Sequence, residues 1–106
     1  MSECNYRLRF TPKAAKDLDA IYDYIFNTLS AAMAANDLIE HIEKATMQLA
    51  LFPYSGSQVI EESLRLKGYR KAIVNNYLLF YVVDEIEKQV VVIRVLFGAS
   101  KYEEIL

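Results

Sequence analysis

The chain has 106 residues, 54% of them hydrophobic and 25% charged, with one Cys, one His and no Trp. This composition suits one folded domain, predicted here to span 1–106, and excludes a disordered or collagen-like polymer. A net charge of −2 and a pI near 5.4 argue against a nucleic-acid binder that works through bulk charge. In chain order, Tyr6 to Phe10 alternates strictly and predicts a strand with Arg7 and Arg9 on one face. Thr11-Pro12 then offers an N-cap followed by a proline at the first helical position. Ala15, Leu18, Ile21 or Tyr22, Ile25 and Leu29 recur at three- and four-residue spacing, which predicts an amphipathic helix of about five turns. Ser30 is the expected cap of a second helix with Ala35, Leu38, Ile42, Ala45 and Leu49 on its buried stripe, and Pro53 stops it. So short a break between two long helices predicts an antiparallel helical hairpin.

Beyond Tyr54-Ser-Gly-Ser57 the period shortens. Leu64 to Lys67 alternates, Gly68 interrupts, and Tyr69 to Val74 reads as a strand. Asn75-Asn76 tolerates the positive φ of a tight hairpin turn, and Tyr77 to Val83 is apolar on both faces, as a central strand should be. After a turn at Asp84–Lys88, Val90 to Phe97 forms the last strand, and Ser100 to Leu106 has capping-box spacing for a short terminal helix. The expectation is an α+β fold: a strand, an antiparallel helical hairpin, then a three-stranded antiparallel meander and a short C-terminal helix.

The charge is unevenly spread. Residues 1–16 carry Arg7, Arg9, Lys13 and Lys16 against Glu3, a balance of +3. Residues 17–62 carry eight acids against Lys44 alone, a balance of −7. Residues 63–81 carry Arg65, Lys67, Arg70 and Lys71 with no acid, a balance of +4. A near-neutral chain can therefore present a cationic face, or its basic residues can simply guard strand edges against aggregation. No apolar run reaches the roughly 18 residues of a membrane helix, and no secretory leader is visible, which predicts a cytoplasmic protein without membrane partners. Cys4 is alone, and His41 aligns with Asp37 and Lys44 on a polar helical stripe, so neither a disulfide nor a metal site is expected. No cofactor is expected either. Arg94 lies among Val90, Val92 and Leu96, where an unpaired guanidinium would be costly. It must line a groove or pair with a carboxylate from elsewhere, such as the helical hairpin.

The ordered set of segments Leu51-Phe-Pro-Tyr-Ser-Gly56, Tyr69-Arg-Lys71, Asn76-Tyr-Leu-Leu-Phe-Tyr81 and Ile93-Arg-Val-Leu-Phe-Gly98, followed by Tyr102-Glu, resembles the RelE/ParE superfamily of bacterial toxins. The resemblance implies the toxin half of a type II toxin–antitoxin pair that inhibits growth and is silenced by a small acidic antitoxin. ParE-like members inhibit DNA gyrase, whereas RelE-like members cut messenger RNA on the ribosome without a metal. For the nuclease branch the resemblance implies Lys71 as a functional lysine; Arg70 or Arg65, Lys101 and Tyr102 are the further candidates that would share the work with it. The arginine expected after the aromatic that opens the next strand is replaced by Leu78, and after the Gly98 position Ala99-Ser100 stand where arginines are common. Those departures favour the ParE-like branch. On that branch Arg65, Lys67 and Arg94 are the candidates for binding a target or antitoxin. A relative that only binds antitoxin is a third possibility. Of the eight Tyr residues, six fall in predicted elements where core packing is their usual use, which leaves Tyr54 and Tyr102 as the exposed ones.

Overall fold

The computed structural model of the chain describes residues 6–98. The predicted terminal helix, Cys4, Lys101 and Tyr102 lie outside the described residues. The elements are β1 (Arg7–Phe10), α1 (Pro12–Asp23), α2 (Ala32–Leu51), β2 (Ser57–Gln58), α3 (Glu62–Leu66), β3 (Arg70–Val74), β4 (Tyr77–Asp84) and β5 (Gln89–Phe97). They build one mixed sheet in the order β1-β5-β4-β3-β2, with β4 at its centre and β1 parallel to β5. The remaining pairs are antiparallel.

The Thr11 hydroxyl caps α1 by accepting from the Ala14 amide at 3.1 Å, and it donates to the Ile93 carbonyl at 2.9 Å. One hydroxyl thus starts the helix and fastens it to β5. The predicted long first helix ends early, at Asp23, and continues as a π-helical turn over Tyr24–Thr28. Ser30 does not cap α2. It takes φ +52 in the link, and Ala31 occupies the cap position with no side-chain bond. The hairpin is instead pinned across its mouth by Tyr22, whose hydroxyl donates to the Asn36 side chain at 2.9 Å. On α2 the fully buried positions are Ala35, Leu38, Ile42, Thr46 and Leu49; the expected Ala45 packs partly buried against the same core, and Thr46 joins the stripe beside it. Its hydroxyl is satisfied by the Glu43 carbonyl at 2.8 Å, the backbone contact that lets a threonine sit in a core.

The hairpin covers one face of the sheet over Val74, Leu79, Tyr81, Val90, Val92 and Val95. A second, smaller cluster lies on the other face, where Val59 and Leu64 pack on Phe80 and Leu96. β4 contributes to both clusters, which is why its sequence is apolar throughout. The predicted extended stretch at Leu64–Lys67 is part of a helix, α3. The Glu61 carboxylate accepts from the Ser63 and Leu64 amides at one end, and Gly68 takes φ +86 just past the other. These flanking caps outweigh a four-residue alternation.

The arm from Pro53 to Gly68 is fastened by one buried hydroxyl. Tyr81 is fully buried; its hydroxyl donates to the Pro53 carbonyl at 2.8 Å and accepts the Gly56 amide at 3.1 Å. A Cβ on Gly56 would lie 2.5 Å from that hydroxyl and 2.6 Å from the Lys71 carbonyl, so glycine is required there. Tyr81→Phe is expected to cost about 1–3 kcal/mol in urea unfolding, because two backbone groups lose their partner while the packing stays. A change below about 0.5 kcal/mol would mean that water replaces the hydroxyl.

Candidate functional site

Among the described residues, those singled out by sequence do not converge. Arg70 leaves β3 toward the arm and donates to the carbonyls of Tyr54, at 3.0 Å, and Gly56, at 2.6 Å. Its guanidinium also stands 5.3 Å from the Tyr54 ring centroid. Arg65 ends α3 and donates to the Ile60 carbonyl at 3.2 Å, and Lys67 is the exposed C-cap of the same helix. Lys71 is half-buried on β3, in register between Ser57 and Phe80, and its ammonium has no hydrogen bond or ion pair among the described residues. His41 is exposed on α2, and no group of metal-ligating side chains occurs among the described residues.

Of the two alternatives open to Arg94, the structure shows the carboxylate partner from the helical hairpin. Its Nε and Nη2 donate to the two oxygens of Asp17 on α1 at 2.7 and 2.9 Å, with both side chains about five-sixths buried. The same carboxylate accepts the Val95 amide at 3.0 Å, so it also closes a backbone donor on the edge of β5 that β1 does not reach. The carboxylate raises the guanidinium pKa further. Strict alternation, which groups Arg94 with Val90, Val92 and Leu96, fails at a bulge. Phe80 pairs with Arg94 and Tyr81 with Val92, so Ile93 is skipped. Val90 and Val92 consequently join the hairpin-side core, and Leu96 the opposite cluster.

Beside the free ammonium of Lys71, the open face of the sheet is apolar. Ile73 pairs with Leu78 and Leu78 with Leu96, a row across three strands that runs from Ile73, 74% exposed, through half-buried Leu78 to Leu96 in the second cluster. Ile60 and Leu66 on the arm are likewise more than three-quarters exposed. A second open surface lies between α1 and β5, where Ile21, Tyr24, Tyr77 and Phe97 line a groove of about 490 Å³. Tyr24 is as exposed as Tyr54, so one tyrosine assigned to packing belongs to the surface.

The tightest polar cluster was not foreseen. Glu85, in the turn between β4 and β5, accepts the hydroxyls of Tyr6, at 2.7 Å, and Tyr54, and it pairs with Lys88 at 3.1 Å. The two tyrosine hydroxyls and then the Lys88 ammonium pull its carboxyl down to about 2, and both tyrosines are raised in turn. A depressed carboxyl stabilises the fold above its ordinary pKa of about 4.5 and loses that contribution as pH falls toward 2. Stability is therefore expected to drop across that window, and Glu85→Gln should flatten the drop in acid-unfolding curves. Parallel curves for the two proteins would assign the loss elsewhere, with Glu61, lowered first by the Ser63 hydroxyl, as the next carboxylate in line.

Residues 8–102 match the model of the ParE toxin of type II toxin–antitoxin systems, parDE. The chain belongs to the ParE toxin family. Among solved structures, a chain of the chromosomal ParDE system from P. aeruginosa is 24% identical, with a TM-score of 0.70 over 90% of this chain and 98% of that one. A chain of the toxin–antitoxin complex RelBE2 from Mycobacterium tuberculosis is also 24% identical, with a TM-score of 0.61 over 93% and 98%. At these identities the likeness is one of fold. No curated protein is matched by sequence. As a ParE-family member, the chain is a type II toxin with a helical hairpin on a five-stranded sheet. None of its helices among the described residues is long and apolar enough to cross a membrane.

Proposed function

We propose that this ParE-family toxin acts in the cytoplasm by binding a protein target such as DNA gyrase, and that a cognate antitoxin neutralises it. The observation that carries the reading is the apolar row Ile73–Leu78–Leu96, with Leu78 where the nuclease branch implies an arginine. Metal-free RNA cleavage needs cations around the developing phosphorane charge and an acid and a base within reach. Here Arg70 donates through one nitrogen to two backbone carbonyls and Arg94 is paired with Asp17, so both are engaged away from Lys71, which stands beside an apolar surface. Such a surface is suited to a protein partner rather than a phosphate backbone. One of the two solved structures is of a chromosomal ParDE system and the other of a RelBE2 toxin–antitoxin complex, which supports an antitoxin for this chain as well.

The test is controlled expression in a bacterium that lacks the antitoxin. Growth arrest with filamentation and a DNA-damage response is expected, with messages intact, and Lys71→Ala should leave the arrest unchanged. Cut messages whose cleavage disappears in Lys71→Ala would overturn the proposal in favour of an endoribonuclease. Unimpeded growth would leave only an antitoxin-binding module.

A further inference from the structure

Two segments far apart in the chain end on one carboxylate, that of Glu85 in the β4–β5 turn. The turn is itself a built element: the Asp84 side chain accepts the Ile86 and Glu87 amides, both at 3.0 Å, and Lys88 takes φ +55. One oxygen of Glu85 accepts the Tyr6 hydroxyl and the Lys88 ammonium, and the other accepts the Tyr54 hydroxyl. Tyr6 leads into β1, and Tyr54 stands at the base of the arm. A cation also places each ring. The Lys88 ammonium lies 5.3 Å from the Tyr6 ring centroid, and the Arg70 guanidinium holds the Tyr54 ring in the same way. The backbone beside each tyrosine is bonded as well. The Tyr6 amide donates to the Ala50 carbonyl and the Arg7 amide to the Lys88 carbonyl. In the arm, the Ser55 amide donates to the Phe52 carbonyl and the Gly56 amide to the Tyr81 hydroxyl.

This geometry makes the two tyrosine bonds dependent on each other. With donors on both oxygens the carboxylate is confined to one rotamer, although the Glu85 side chain is 45% exposed. When either tyrosine donor is lost, the side chain regains rotamer freedom, and the remaining bond is weakened by the entropy of fixing it alone. Lys88 is a largely exposed side chain three residues away on the same turn and holds the carboxylate only weakly by itself. We infer that Glu85 is a shared latch: the entry to β1 and the base of the arm open together, as one local unit, and not separately. Tyr6 is half-buried and Arg7, Tyr54 and Ser55 are exposed, which is the setting of low-energy local opening. The arm carries the exposed Ile60, Arg65, Leu66 and Lys67, so the latch governs how firmly that surface is held against the sheet. It does so whichever target the toxin binds.

Amide hydrogen exchange followed by NMR at neutral pH tests the coupling. Tyr6→Phe keeps the ring and deletes one donor. It should speed exchange of the Ser55 and Gly56 amides about fivefold, as expected for the loss of one exposed hydrogen bond. Tyr54→Phe should do the same to the Tyr6 and Arg7 amides, at the other end of the latch. Glu85→Ala should speed all of these, and the double variant Tyr6→Phe with Tyr54→Phe should match it, because one latch can be lost only once. Exchange in the central strand β4 should stay the same in every variant, which separates local release from a global loss of stability. Tyr22→Phe removes a hydroxyl bond of the same kind at the mouth of the hairpin and should leave the reporting amides unchanged. Faster exchange confined to the amides beside each substituted tyrosine overturns the inference, as does Glu85→Ala without effect on Ser55 and Gly56. A rise that includes β4 overturns it too, since the variants would then act on the whole fold.

Discussion

Asp17→Ala is expected to lower stability by about 3–5 kcal/mol, the cost of leaving a largely buried guanidinium without its partner. The carboxylate serves three donors, two on Arg94 and the Val95 amide, and water reaches the pair poorly because each side chain is only about one-sixth exposed. Urea unfolding should show a lower midpoint at unchanged slope. Asp17→Asn should fall between the two, since an amide oxygen can still accept from the Val95 amide but carries no charge. A loss of less than about 1 kcal/mol for the alanine variant would place the pair among surface ion pairs and remove its structural role.

Phe80→Ala should have a comparable effect, about 3–5 kcal/mol, for a different reason. The ring is fully buried and packs with Val59 and Leu64 of the arm and Leu96 of β5, so its loss empties the second cluster. The arm around α3 would then be held mainly by the Tyr81 hydroxyl and by Arg70. Limited proteolysis should therefore speed up within 59–68 well before the global transition. Leu66→Ala, three-quarters exposed on the same short helix, should change stability by no more than about 0.5 kcal/mol. Equal effects of the two substitutions would mean that the arm is not anchored through Phe80.

The parts of the fold that could be read in advance are those marked by local chemistry. Thr11-Pro12 caps α1, Asn75 takes φ +55 in the β3–β4 turn, and Pro53 follows the last helical turn as expected. α3 escaped because Leu64 to Lys67 satisfies an alternating pattern and a helical one equally over four residues. Its decisive signals, the Glu61 carboxylate and the left-handed Gly68, lie outside that window. The bulge at Ile93 carries no glycine or proline to announce it, yet one extra residue moves Leu96 to the other side of the sheet. For the site, the burial argument left Arg94 either an open groove or an acid, and it could not choose Asp17 from the eight acids between 17 and 62. The Glu85 cluster joins residues 31 and 79 positions apart, a spacing that no linear motif encodes.

The parallel pairing of β1 with β5 brings the first and last described strands side by side, and Asp17 reaches residues 94 and 95 across the same junction. Every contact there spans more than 70 residues, so closing it pays the loop entropy of nearly the whole chain at once. During synthesis β1 and α1 emerge from the ribosome long before the strand that anchors them. The buried carboxylate of Asp17 and the donor groups along β1 stay open to water until β5 arrives. Both the second cluster, through Leu96, and the β1 edge, through its ladder, are completed by that same strand. A nascent chain therefore has none of these surfaces in finished form until β5 is made.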